Sequence, residues 1–107
     1  MISFLSGPTA PPPYTIRTEA KGRYNKYDEL DRREKELYDA WYRRAAGGEN
    51  PIRFTREMGA VDLKVVSKPP DKPPRVWQFR LSKARRVLFR EDPNNVTTVT
   101  DIGNHLP

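Results

Sequence analysis

The sequence predicts an α+β fold: an N-terminal strand, then one long and one short helix packed on a twisted antiparallel sheet of about four strands. Three observations predict it. Apolar residues recur at helical spacing between positions 26 and 48. They alternate with period two through much of the second half. Short stretches rich in turn formers separate those alternating runs. A chain of 107 residues fits one domain with a small core.

Residues 1–13 end in PTAPPP, where consecutive prolines favour polyproline II and exclude helix, so they read as a tail. The single domain is expected over 14–107. YTIRTEA follows as a short strand with Tyr14, Ile16 and Thr18 on one face. In the long helix, Tyr27, Leu30, Leu37, Trp41 and Ala45 form one apolar stripe, widened by Tyr24, Tyr38 and Tyr42. This stripe reads as core rather than as a surface for stacking bases. Asp28/Arg32, Glu29/Arg33, Asp31/Lys35 and Asp39/Arg43 are acid-first i,i+4 pairs, each worth ~0.2–0.5 kcal/mol. Gly47 and Gly48 stop the helix. Asn50 can cap a second helix, Pro51 suits its first position, and Gly59 ends it.

Strands are expected in AVDLKVV, RVWQFRL, RRVLFRE and VTTVTDI. KPPDKPP breaks the first from the second, SKA is a tight connection, and DPNN is a turn. Consecutive strands joined this way imply an antiparallel meander.

Charge is uneven. The chain carries +6 overall. From Glu19 to Glu49, eight acidic residues balance eight basic ones. From Val61 to Arg90, nine basic residues face two acidic ones, giving +7. With no cysteine and one histidine, neither a disulfide framework nor a Cys/His metal site is available. MISFLSG lacks the basic start and long apolar run of a signal peptide, and no apolar run approaches a membrane span. A soluble cytoplasmic protein is expected.

Alternation decides what the arginines can do. With Trp77, Phe79 and Leu81 toward the helices, Gln78 and Arg80 face away. Arg86, Leu88 and Arg90 share a face on the next strand, and the short turn brings Arg80 near Arg86. Two guanidinium groups on neighbouring strands repel unless an acid or anion separates them. Two readings stand at this point: a face that receives phosphate, for which the planar guanidinium fork is suited, or a solvated basic face. His105, expected just past the last strand, adds an imidazole, the side-chain type most often used to take or give a proton.

The run W-x-F-R-L-S-x4-R-V-L-F-R (Trp77, Phe79, Arg80, Leu81, Ser82, Arg86, Val87, Leu88, Phe89, Arg90), then V-T-D-I-G-x-H (Val99 to His105), resembles the RelE/ParE superfamily of small bacterial toxins. The likeness is specific over about 75–105 and architectural over 14–66. It implies a RelE-like fold and the toxin of a type II toxin–antitoxin pair. In the RelE branch it implies a metal-independent endoribonuclease that cuts messenger RNA on the ribosome, with the RNA 2′-OH as nucleophile. Arg80, Arg86 and His105 would then be catalytic, the arginines on the phosphate and the histidine in proton transfer. Lys64, Lys68, Lys83, Arg85 and Arg90 would contact RNA phosphates. Implied partners are messenger RNA with 16S rRNA contacts, and a cognate antitoxin covering the basic face; no membrane and no small-molecule cofactor are implied. The sequence departs from the family at Arg85, where relatives often carry an aromatic residue. Many relatives also continue beyond the histidine into a tyrosine-bearing tail, whereas this sequence ends at Pro107. Two alternatives stay open: a ParE-like inhibitor of DNA gyrase acting by protein contact, and a catalytically degenerate RNA- or protein-binding relative.

Overall fold

Two helices cover one face of a five-stranded sheet in the computed structural model, which describes residues 13–59 and 61–106. All but the last residue of the proline-rich tail therefore lie outside the described residues, as does Pro107. The strands are β1 (Thr15–Thr18), β2 (Lys64–Val65), β3 (Val76–Arg80), β4 (Arg85–Asp92) and β5 (Val96–His105), in the order β1-β5-β4-β3-β2. The helices α1 (Arg32–Ala46) and α2 (Pro51–Glu57) fall between β1 and β2.

The expected four-strand antiparallel sheet becomes a five-strand mixed one. β2 to β5 form the meander, while β1 adds to the free edge of β5 in parallel. Short turns fix the direction of β3, β4 and β5. No hairpin ties β1 to β5, so its direction follows the crossover of the helices. The seven-residue strand expected in AVDLKVV shrinks to two residues, because Asp62 takes a left-handed φ of 53° and interrupts the extended run. β5 is longer than expected and carries through to His105.

α1 starts later than its apolar period suggests. Tyr27–Glu29 is a 3-10 turn, and Asp31 caps the helix by accepting from the Glu34 amide at 2.8 Å. Glu34 answers by accepting from the Asp31 amide at 2.8 Å, a complete capping box. Asp31 thus caps instead of pairing with Lys35, whose ammonium lies over the Tyr27 ring. Asp28 and Glu29 precede the helix. α2 is capped by Asn50, with Pro51 in its first turn.

The core lies between the helices and the inner sheet face. Trp41 is fully buried, with ring centroids 4.8 Å from Phe79, 5.4 Å from Phe89 and 6.2 Å from Phe54. Its indole N–H donates to the buried Thr55 hydroxyl at 2.8 Å, so the polar edge is satisfied. Cross-strand register places Trp77 opposite Phe89, and Phe79 opposite Val87, on this inner face. Tyr38, Trp41 and Ala45 centre the buried stripe of α1. Tyr24 does not join it. It sits in a separate 3-10 turn (Gly22–Tyr24) and is 47 % exposed.

Candidate functional site

The outer sheet face, turned from the helices, collects the charged side chains in transverse rows. Register sets Arg80 directly opposite Arg86, and Arg86 opposite Asn104. A neighbouring row runs Lys64, Gln78, Leu88, Asp101. A third runs Val76, Arg90, Thr98, Arg17.

These rows differ in how well their cations are paired. Arg90 donates to Asp92 at 2.7 and 3.1 Å and to Glu19 at 3.3 Å. Arg17 donates to Thr98 at 2.8 Å and lies 3.4 Å from both Asp92 and Glu19. The Arg90 guanidinium, with help from the Thr98 hydroxyl, holds the Asp92 carboxyl down at about 2. Arg90, grouped with the RNA contacts by sequence, is therefore engaged within the protein.

The Arg80–Arg86 pair is poorly compensated. Arg80 Nε lies 3.2 Å from an Asp62 oxygen, but the angle makes no hydrogen bond. Arg86 donates to Gln78 at 3.3 Å, and its Nη2 stands 4.0 Å from Asp101, which also accepts from Asn104 at 3.0 Å. Among the described residues, Arg80 Nε and Arg86 Nε are the buried side-chain polar atoms without a hydrogen-bond partner. An unmade bond of this kind costs on the order of 1–3 kcal/mol, and opposed like charges add to it. An oxyanion bound at the outer guanidinium nitrogens would offset the opposed charges.

The third residue of the sequence-predicted catalytic set lies elsewhere. His105 pairs in register with Arg85, not with Arg86, and its side chain is exposed. The cause is a bulge at Gly103, whose φ of 77° lets β5 gain a residue between the Arg86/Asn104 and Val87/Ile102 pairs. Strict alternation from the core residue Ile102 would set His105 on the outer face; the bulge turns it to the helix side and sets Asn104 beside Arg86.

Arg85 likewise points toward the helices. Its guanidinium donates to the Gly103 carbonyl at 2.7 Å and lies 3.7 Å from buried Glu34. Ser82 donates to Glu34 at 2.6 Å and accepts from the Ala84 and Arg85 amides. Ser82 and Arg85 thus latch the β3–β4 turn to the start of α1. Lys83 is exposed on that turn, and with Arg80 it lines a cleft of about 470 Å³ whose apolar wall includes Leu37 and Met58. Lys64 is exposed on β2, and Lys68 is exposed in the proline-rich loop.

Sequence reasoning missed Gln78 and Asn104 as neighbours of Arg86. The parity of Gln78 was visible, but the positions of Asp101 and Asn104 depend on two register shifts in β5. Among the described residues, no group of three or more His, Cys, Asp or Glu side chains is placed to hold a metal, and no helix is long and apolar enough to cross a membrane.

Fold and site together define an α+β domain whose outer sheet face carries an under-paired arginine couple. No known family matches the chain, and no curated protein matches it. The RelE/ParE likeness therefore rests on the motif residues themselves.

Proposed function

We propose that this protein binds RNA through its outer sheet face and acts in the cytoplasm as a RelE-like toxin on ribosome-bound messenger RNA. One observation carries the reading: Arg80 stands opposite Arg86 across two strands, and neither buried Nε atom makes a hydrogen bond. A phosphodiester between them would accept from both forks. In cleavage by the RNA 2′-OH, the same cations would offset the charge that gathers on the phosphorus oxygens in the transition state. Lys64, opposite Gln78 in the middle of the Arg80 strand, and Lys83, on the turn after it, are both exposed and would add contacts to neighbouring phosphates. An antitoxin would silence such a face by covering it with acidic groups.

The place of His105 favours a second reading. Proton transfer at a phosphate held by Arg80 and Arg86 needs an acid or base beside it, and His105 lies opposite Arg85 instead. A relative that binds RNA without cutting it meets that observation.

Inducible expression in bacteria, with mapping of transcript ends and recovery of crosslinked RNA, separates the readings. New 5′ ends that vanish in the Arg80→Gln/Arg86→Gln variant are the expected result. Crosslinked RNA with intact messages would select the non-cleaving relative. A DNA-damage response with neither cut nor crosslinked RNA would overturn both in favour of gyrase.

A further inference from the structure

The long helix buries Tyr38 and Trp41 and half-buries Tyr42, but Tyr24 is left out. Among the described residues, Tyr24 and Val66 are the exposed large hydrophobic side chains, at 47 % and 37 %. Tyr24 is also placed with unusual care for a surface residue. The chain after β1 stays on the edge of β5, with the Glu19 and Ala20 amides donating to the Val99 carbonyl and the Lys26 amide donating to that of Ile102. Between these anchors the 3-10 turn Gly22–Tyr24 rises at the edge, with Gly22 at a left-handed φ of 59°. Asn104 then donates to the Arg23 carbonyl at 2.9 Å.

That last bond joins the turn to the arginine couple. Asn104 is the register partner of Arg86, so the row reads Arg80, Arg86, Asn104, then the Arg23–Tyr24 turn. Neighbouring strands are about 4.8 Å apart. The backbone of the Arg23–Tyr24 turn therefore stands on the order of 10 Å from the Arg86 backbone, within the span of a nucleotide and its neighbour. Arg23 covers the tyrosine ring, its guanidinium carbon 4.9 Å from the centroid, and donates to the phenol oxygen at 2.8 Å. Such a layered arginine–tyrosine pair offers a flat π surface of the kind on which unpaired bases stack.

We infer that Tyr24, backed by Arg23, is a stacking platform for an unpaired nucleobase in a strand whose adjacent phosphate occupies the Arg80–Arg86 couple. The inference rests on the RNA-binding reading above and adds a subsite to it. Single-stranded RNA is the ligand that fits, because a duplex keeps its base faces closed to a side chain. The platform discriminates bases weakly, since every base has a π face.

Two hexamers test it on the full chain: a single-stranded hexauridylate, and the same sugar–phosphate backbone without bases. Equilibrium binding is followed by fluorescence anisotropy at low salt. The wild type is expected to bind the base-bearing hexamer about 5- to 150-fold more tightly than the abasic one. Tyr24→Ala should remove that preference and leave abasic binding unchanged, while Tyr24→Trp should keep it. Arg86→Gln should weaken both hexamers alike. Equal binding of the two hexamers by the wild type would overturn the platform while leaving the phosphate site standing. A Tyr24→Ala loss that is equal for both hexamers would also overturn it. Failure to bind either hexamer would overturn the platform and the RNA-binding reading together. Because Tyr24 is exposed, its variants should melt within a degree or two of the wild type, which confirms that any loss is at the surface.

Discussion

Replacing Glu34 by Ala removes three interactions at one buried point. Its carboxylate accepts from the Asp31 amide at 2.8 Å and from Ser82 Oγ at 2.6 Å, and it lies 3.7 Å from Arg85 Nε. The charged acceptor accounts for about 1.5–3 kcal/mol of this, and the capping interaction for ~1 kcal/mol. Arg85, only 15 % exposed, keeps the Gly103 carbonyl but loses its counter-charge. The terms overlap, so a net loss of about 3 kcal/mol is expected. For a domain of this size that corresponds to a fall in Tm of roughly 10–20 °C. Glu34→Gln keeps one oxygen acceptor, enough for the Asp31 amide or for Ser82 Oγ but not for both, and should cost about 1–2 kcal/mol. Ser82→Ala should be partly redundant with Glu34→Ala, giving a coupling of about 1 kcal/mol in a double-mutant cycle. Urea unfolding followed by the fluorescence of Trp41 and Trp77 measures all four states. A Glu34→Ala loss within ~0.5 kcal/mol of zero, or strict additivity with Ser82→Ala, would refute the latch and return Arg85 to the set of free cations.

Two further predictions concern β5 and its neighbours. Asp92 titrates at about 2 in the folded chain against an ordinary 3.8, so its pairing stabilises the fold above pH 3.8 and is lost as pH falls through about 2. Asp92→Asn should therefore cost up to about 2 kcal/mol at pH 7 and nothing below pH 2, read from urea midpoints across that range. At Gly103, an added Cβ would meet Leu30 Cδ2 at 2.8 Å and the Lys26 carbonyl oxygen at 3.2 Å, on a backbone with φ of 77°. Gly103→Ala should lose about 2–4 kcal/mol. Gly59→Ala, also at positive φ but in open space, should lose about 1 kcal/mol.

Much of the fold was legible because it follows local rules. The period of Tyr38, Trp41 and Ala45 announces a helix with one buried face, and the Asn50–Pro51 start of α2 follows from capping chemistry. The alternation through Trp77, Phe79, Val87 and Phe89 announces the inner face of the sheet, and with it the pairing of Arg80 and Arg86. Features that depend on single backbone exceptions were hidden. The left-handed Asp62 cuts β2 short, and the bulge at Gly103 exchanges the places of Asn104 and His105. A positive φ at one residue leaves little trace in a hydrophobicity pattern, yet it reverses every side chain beyond it. The start of α1 misled for a different reason: Asp31 fits both an i,i+4 pair with Lys35 and a capping box with Glu34, and the cap satisfies otherwise orphaned amides. The parallel seating of β1 depends on contacts far along the chain, which no local window contains.

The arginine couple is tested most directly by the salt dependence of RNA binding. Each phosphate contact on single-stranded nucleic acid contributes about 0.7 to the slope of log K against log salt. The Arg80→Gln/Arg86→Gln variant should therefore bind single-stranded RNA with a slope smaller by about 1.4. Between 50 and 200 mM salt, the wild type should lose about sevenfold more affinity than the variant. Arg32→Gln, on the highly exposed start of α1, should leave the slope unchanged. An unchanged slope in the double variant, or an equal reduction in Arg32→Gln, would contradict phosphate binding by the Arg80–Arg86 couple.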